Sequence, residues 1–141
     1  MIKKILFAVA VCLFGFCQNA GASVYTSLPA MDGIVMIPCL QGDGIDMLER
    51  ISEKCENDNV DVNDFTQAEY AYMLRFINEM LDAADEYDAL GESDRFIEKS
   101  KDQMELLTGF ATLLSVADSE GKLDRANSAA LAKLMERVDE L

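Results

Sequence analysis

The sequence predicts an all-α fold, either an antiparallel four-helix bundle or an irregular helical fold, with an extended N-terminal arm. Apolar residues recur at steps of three and four from Ile45 to the end of the chain. The turns between these periodic segments are short, as in helical bundles. Both prolines, Pro29 and Pro38, precede the periodic part. We therefore expect a signal peptide over 1–22, the arm over 23–44 and a single helical domain over 45–141.

The first 22 residues have the three parts of a secretory signal peptide. Lys3 and Lys4 form a basic start, an apolar run of about a dozen residues follows, and Ala20–Ala22 places small side chains before a cut at Ser23. The apolar run is shorter than the roughly 20 residues that span a bilayer. The sequence therefore predicts a periplasmic or secreted protein, without deciding between the two.

Cys17 introduces two alternatives to ordinary cleavage, a lipid anchor and an uncleaved anchor. Lipoprotein processing prefers a small residue before the cysteine, and Phe16 is large. We therefore expect ordinary cleavage before Ser23.

The charge of the chain is strongly negative. Its 26 acidic and 12 basic residues give a net charge of −14, and loss of Lys3 and Lys4 with the signal peptide would bring it to −16. Such a field repels phosphate backbones and anionic membrane surfaces, and it attracts basic proteins or divalent cations. We therefore expect neither nucleic-acid binding nor stable membrane insertion. The simplest alternative is that the charge only keeps the protein soluble.

Histidine is absent from the sequence. Nucleophile systems built on Ser-His-Asp or Cys-His need an imidazole base, and many zinc sites need imidazole ligands. No motif for a cofactor is present either. We therefore predict that the protein is not an enzyme and has no catalytic residues, no cofactor and no metal site. A hydrolase that uses two carboxylates is the least favoured hypothesis.

The arm contains a short segment that resembles a strand. Ile34–Ile37 is a short β-prone run between Gly33 and Pro38. One strand cannot form a sheet alone, so the run either packs on the helical body or pairs with its copy in a homodimer.

Cys39 and Cys55 remain after removal of the signal peptide, and an even pair in an oxidising compartment predicts a disulfide. If a helix runs from Gly44 to Cys55, the bridge closes only when the preceding segment lies back along that helix. Otherwise Cys55 is a buried hydrophobic residue on the face of Leu48 and Ile51.

The first two helices are predicted in different ways. Ile45, Leu48, Ile51 and Cys55 define one apolar face of a first helix. The second helix has a start pattern, Thr66 with Glu69 as a capping box and Phe65 with Tyr70 as a hydrophobic staple. It should run to about Leu90 and end at Gly91. Because it is apolar over most of its circumference, we expect it to be central.

Two further helices complete the predicted bundle. A third, capped by Ser93, should run to Val116. The turn Asp118–Gly121 should separate it from a fourth helix that begins near Asp124 or Asn127.

Two loops resemble parts of EF-hand calcium loops. Val60–Asp64 is similar to the second half of a dockerin-type loop, and Asp118–Gly121 matches EF-hand positions three to six. The first loop lacks the glycine, the second has Val116 at position one, and neither has a glutamate at position twelve. Ordinary turns rich in Asp and Asn are the alternative. The resemblance implies divalent-cation binding as the second functional hypothesis.

The candidate partner-binding residues are four carboxylates of the second helix at steps of three, three and one, namely Glu79, Asp82, Asp85 and Glu86. Asp88, Glu92 and Asp94 extend this acidic strip. A solvated helix face and a catalytic carboxylate pair are the alternatives. We expect an exported, non-catalytic protein of the adaptor, chaperone or immunity type, whose partner is another protein with a basic surface.

Overall fold

The computed structural model describes residues 35–56 and 60–140. These form five α-helices, α1 (Asp43–Lys54), α2 (Gln67–Ala89), α3 (Ser93–Lys99), α4 (Lys101–Ser119) and α5 (Arg125–Asp139). Two 3-10 turns, Pro38–Leu40 and Val62–Asp64, precede α1 and α2. The described residues contain no strand, and the predicted all-α fold is confirmed. The predicted signal peptide, its cleavage site, Cys17 and arm residues 23–34 lie outside the described residues.

Helix α2 is the central element, as its broad apolar surface predicts. It packs against α1, α3, α4, α5 and the first 3-10 turn. Buried aromatic rings join it to α4, with Phe76 and Phe110 edge to face at 5.2 Å between ring centroids. Tyr72 contributes a second edge-to-face contact with Phe110. One hydrophobic cluster includes residues of the arm and of all five helices.

Side-chain contacts fix the directions of the helices. Gln103 at the start of α4 contacts Met80, and Lys122 after its end contacts Gln67, so α4 is antiparallel to α2. Asn127 at the start of α5 also contacts Gln67, while Arg137 near its end contacts Asn78, so α5 is parallel to α2. Helices α2, α4 and α5 therefore alternate in the manner of an up-and-down bundle.

The N-terminus of α2 has both predicted devices. Thr66 Oγ1 accepts a hydrogen bond from the Glu69 N–H, and the Glu69 carboxylate accepts one from the Thr66 N–H. The rings of Phe65 and Tyr70 lie 5.8 Å apart. This reciprocal capping satisfies backbone donors that a helix start leaves without partners.

The prediction of one continuous third helix is wrong, because this segment forms two helices, α3 and α4, that meet at Ser100. Ser100 ends α3 through its N–H bond to the Phe96 carbonyl, and its own carbonyl then accepts the Met104 N–H in α4. Its hydroxyl is buried and has no hydrogen-bond partner. Ser93 is the first residue of α3 rather than its cap, and its hydroxyl donates to Asp88.

Candidate functional site

The predicted acidic strip does not form one surface, because its members have different partners. Glu79 holds the arm: its Oε1 accepts the Cys39 N–H at 2.7 Å, and its Oε2 accepts the Arg75 Nε–H at 2.7 Å. Its side chain is mostly buried. Glu79 is therefore part of the internal structure and is largely withdrawn from solvent.

Asp82 and Asp85 face α5. Arg137 Nη2 lies 2.7 Å from Asp82 Oδ1 and 3.4 Å from Asp85 Oδ2, and Arg137 Nη1 also donates to Asn78. Both aspartates remain about two-thirds exposed, at 66% and 64%. The pairs join α2 to α5, but exposed ion pairs of this kind contribute little to stability.

Glu86, the last of the four candidate partner-binding residues, lies at an end of α2 that carries further negative charge. We define the acidic corner as the exposed residues Glu86, Asp88, Glu92 and Asp94. The chain turns here through Gly91, whose φ is 71°. The N–H groups of Gly91 and Glu92 donate to the carbonyls of Asp88 and Tyr87, which is the Schellman arrangement. The turn therefore places these carboxylates on a short, hydrogen-bonded segment.

The charge at this helix end is locally unfavourable. The C-terminus of a helix carries partial negative charge, which basic side chains in the last turn usually offset. The last turn of α2 has no basic residue. The neighbouring Arg95 lies 3.9 Å from Glu92, and both side chains are exposed. A cationic group from outside the molecule would relieve this repulsion.

Leu90 caps α2 within the acidic corner and is 73% exposed. In the described part of the chain, Met36 at 54% is the other large hydrophobic residue with an exposed side chain. A single exposed leucine is unremarkable, but here it lies in sequence between two pairs of exposed carboxylates. Protein interfaces place apolar side chains at the centre and polar side chains at the rim.

The arm is held by polar side chains that contact its backbone. The amide of Gln103 donates to the Val35 carbonyl at 2.6 Å and accepts from the Val35 N–H at 2.9 Å. The Tyr72 hydroxyl donates to the Cys39 carbonyl at 2.9 Å, while Glu79 accepts the Cys39 N–H. The structure therefore places the described arm residues on α2 and α4, where Val35 and Ile37 are buried, and the 3-10 turn Pro38–Leu40 also packs against α1.

Sequence reasoning missed Gln103 and Tyr72. Both are buried on helix faces that otherwise hold core residues. The pairing of Gln103 with Val35 spans 68 residues of sequence. Local periodicity contains no information about such a contact; a glutamine on an apolar face was the one available sign.

The predicted disulfide between Cys39 and Cys55 is absent from the structure, where both are buried free thiols. The Cys39 carbonyl lies against Gly44 at the start of α1, and Cys55 caps its other end. From Gly44 to Cys55 the helix rises about 16 Å at 1.5 Å per residue. A disulfide needs Cα atoms roughly 4.4–6.8 Å apart, so this bridge would require α1 to unwind.

Both thiols are in environments that favour the neutral form. Burial first, then a hydrogen bond with Glu79, raises the pKa of Cys39 to about 12. Burial raises the pKa of Cys55 to about 11, with the charge of Glu69 as a further cause. These cysteines therefore lack the thiolate character that reactive cysteines need.

In the two calcium-like loops, carboxylates accept hydrogen bonds from backbone N–H groups. Asp61 accepts the Asn63 N–H, and Asp124 accepts the Asn127 N–H as the cap of α5. The Lys54 ammonium donates to the Asp64 carbonyl, so that oxygen already has a hydrogen-bond partner. Over residues 35–56 and 60–140, no group of three or more acidic, cysteine or histidine side chains is arranged to hold a metal ion.

Comparison with known proteins adds no assignment, since no protein family, curated protein or solved structure matches this chain. In the part of the chain that the structure describes, no helix combines the length and the apolar character that crossing a membrane requires.

Proposed function

We propose that this chain is an exported, non-catalytic protein-binding protein of the adaptor, chaperone or immunity type, and that the acidic corner contacts a basic surface of its partner. The observation that carries the proposal is the end of α2. There, four exposed carboxylates flank an exposed leucine in the sequence, and the last turn of the helix has no basic residue.

The physical basis is electrostatic steering with an apolar contact. The carboxylates at a helix C-terminus repel one another and the helix dipole, and an approaching basic surface relieves this repulsion. Relief of the repulsion makes the free energy of binding more favourable. Leu90 would lose contact with water in the complex and would anchor it. Charge at the rim mainly accelerates association, and the buried apolar contact mainly slows dissociation.

Composition supports a binding role over catalysis. The sequence has no histidine, and its net charge is −14. The exposed acidic corner provides no enclosed carboxylate pair of the kind that general acid–base catalysis uses. The predicted signal peptide supports an exported location. For the alternative function, calcium binding through the two loops, no observation at the loops favours a cation.

The test compares two variants with the same change in charge. The corner variant is E86Q/D88N/E92Q/D94N, and the control variant E49Q/E53Q/E105Q/E136Q alters four exposed carboxylates on other helices. Each protein is immobilised and exposed to periplasmic and secreted fractions of its source at about 50 mM and about 500 mM salt.

We expect the unaltered chain and the control variant to retain the same basic protein at low salt, and the corner variant to lose it. Leu90→Ala should weaken the same complex by about tenfold without changing the thermal midpoint, because the side chain is largely exposed. Equal retention by both four-site variants, or no retained protein at either salt concentration, would contradict the proposal.

A further inference from the structure

The junction between α3 and α4 lacks hydrogen bonds that a continuous helix would have. The Ser100 N–H donates to the Phe96 carbonyl and the Met104 N–H donates to the Ser100 carbonyl, as in an α-helix. Between these two bonds, the N–H groups of residues 101–103 donate to no carbonyl of α3, and no side chain caps the start of α4. Three N–H groups and the carbonyls of residues 97–99 therefore lack the partners that one continuous helix would give them.

The sequence of this segment does not require the break. Residues 93–108 include neither glycine nor proline, and the apolar positions keep a helical spacing across the junction. The buried hydroxyl of Ser100 has no hydrogen-bond partner. Inside α4, by contrast, Thr108 and Thr112 donate their hydroxyls to the carbonyls four residues earlier. Local interactions therefore favour a closed junction.

Packing on α2 holds the junction open. Helix α3 packs mainly against α2, and Phe96 is its buried residue. The ring of Phe96 lies 5.6 Å from the ring of Tyr87, and the Ser93 hydroxyl donates to Asp88 at 2.8 Å. Contacts with α2 therefore favour the broken helix, whereas the backbone of the junction favours a continuous one.

The register of the helices has room for the continuous form. Gln103 of α4 contacts Met80 of the antiparallel α2. Ser93 is ten residues before Gln103, which is about 15 Å along a continuous helix. Leu90 is ten residues after Met80, which is the same distance along α2. A continuous helix from Ser93 would therefore begin opposite the end of α2, where the short link over 90–92 joins the two.

The acidic corner has carboxylates on both sides of this link. Glu86 and Asp88 belong to α2, whereas Glu92 and Asp94 lie at the start of α3. Closing the junction would change the arrangement of the two pairs. A ligand shifts an equilibrium between two states only by as much as it prefers one of them. A partner that contacts both pairs would prefer the broken helix, in which the acidic corner has the form described above.

We propose that the α3–α4 junction is a hinge between the broken helix of this structure and one continuous helix over 93–119. The free chain populates both states, and a basic partner stabilises the broken state by binding the acidic corner. The hinge is argued from its own contacts, and its coupling to a partner rests on the proposed function.

Ser100→Ala and Ser100→Gly test the hinge. Alanine is preferred over glycine inside a helix to an extent that corresponds to about fivefold in the hinge equilibrium. Hydrogen exchange of the Lys101 and Asp102 amides reports the state, because both residues are exposed and gain helical acceptors only in the continuous helix. Thr108→Ala and Thr108→Gly are the matched controls, at an exposed position inside α4.

We expect exchange at Lys101 and Asp102 to be about two- to fivefold slower in Ser100→Ala than in Ser100→Gly, and to be the same in the two Thr108 variants. If Ser100→Gly does not fold, Ser100→Ala should still exchange about twofold more slowly than the unaltered chain. Equal exchange in the compared Ser100 proteins, at the rate of an unprotected amide, would overturn the hinge.

The coupling to a partner is tested with a short peptide of alternating lysine and leucine at low salt. The peptide should speed exchange at Lys101 and Asp102 in the unaltered chain and leave it unchanged in E86Q/D88N/E92Q/D94N. It should bind Ser100→Gly about two- to fivefold more tightly than Ser100→Ala, because a larger fraction of Ser100→Gly is in the binding state.

The outcomes separate this inference from the proposed function. A peptide that binds the acidic corner without changing exchange at the junction would overturn the coupling and leave the proposed function supported. A peptide that does not bind the acidic corner would contradict the proposed function and the coupling together, while the Ser100 variants still decide whether the hinge exists.

Discussion

At the residue scale, the carboxylate of Glu69 joins three parts of the chain. Its Oε1 accepts hydrogen bonds from the Thr66 N–H at 2.7 Å and from Lys54 Nζ at 2.5 Å, and Lys54 also donates to the Asp64 carbonyl. The Glu69 side chain is only 2% exposed. Burial alone would raise its pKa, but the hydrogen bonds from Lys54 and Thr66 and the charge of Lys54 together lower the pKa below the usual value of a glutamate.

Glu69→Gln should therefore destabilise the fold in a pH-dependent manner. A carboxyl whose pKa is lower in the folded state stabilises the protein above its unfolded pKa, and this contribution is lost as the pH falls through the folded pKa. We expect a loss of about 1–3 kcal/mol in the free energy of unfolding near pH 7. The difference from the unaltered chain should shrink as the pH falls below about 4. Urea unfolding of both proteins near pH 7 and below about pH 4 measures this difference in the free energy of unfolding.

Glu53→Gln is the control for this prediction, because Glu53 is an exposed carboxylate of α1 and should change stability little at either pH. A Glu69→Gln effect of the same size at both pH values would contradict the role assigned to the ionised carboxylate.

Cys39 and Cys55 give a second prediction at the residue scale. Because both thiols are buried and have raised pKa values, the native chain should react only slowly with a thiol reagent near pH 8, and both should react fully in urea. The intact mass should be unchanged by reduction. A mass about 2 Da lower before reduction than after it would show the bridge that the geometry of α1 opposes.

At the scale of elements, the sequence predicts helix ends correctly where the residues that determine them are close together in the chain. The capping box of Thr66 and Glu69 and the Schellman turn at Gly91 each depend on residues within one or two turns, so sequence spacing identifies them. The break at Ser100 has no such pattern. Apolar periodicity continues across it, and serine in a helix interior costs little, so the break depends on packing of α3 and α4 against α2.

Gly44→Ala tests the contact between the arm and α1. A Cβ at this position would lie 2.1 Å from the carbonyl oxygen of Cys39, a backbone atom that also accepts the Tyr72 hydroxyl. Alanine usually stabilises a helix relative to glycine, by roughly 0.5–1 kcal/mol. Here we expect the opposite sign, a loss of about 1–3 kcal/mol, together with faster amide exchange at Cys39.

Glu49→Ala is the matched control, because it introduces alanine at an exposed position of the same helix and should be nearly neutral. A Gly44→Ala variant as stable as the unaltered chain would show that the arm does not pack against α1 as described.

At the scale of the whole molecule, α2 connects the arm to the acidic corner. Its middle holds the arm through Tyr72 and Glu79, and its C-terminal end forms much of the acidic corner. The sequence indicated that α2 would be central and acidic on one face. It did not indicate that Glu79 would bind the arm while Asp82 and Asp85 paired with Arg137, since those partners lie 40 to 55 residues away.

The exposed charge distribution leads to a prediction for the entire surface. Acidic residues lie on every described helix, so a purely non-specific cation would contact all of them. Partner binding is instead proposed at the one helix end where carboxylates, the helix dipole and exposed Leu90 occur together.

The most direct test of this claim is a two-dimensional NMR titration of the labelled chain with a short peptide of alternating lysine and leucine. We expect saturable amide shifts that are largest over residues 86–95, that disappear in about 0.5 M salt and that are absent from E86Q/D88N/E92Q/D94N. Shifts spread evenly over the acidic helix faces, or shifts of equal size in the corner variant, would contradict the account.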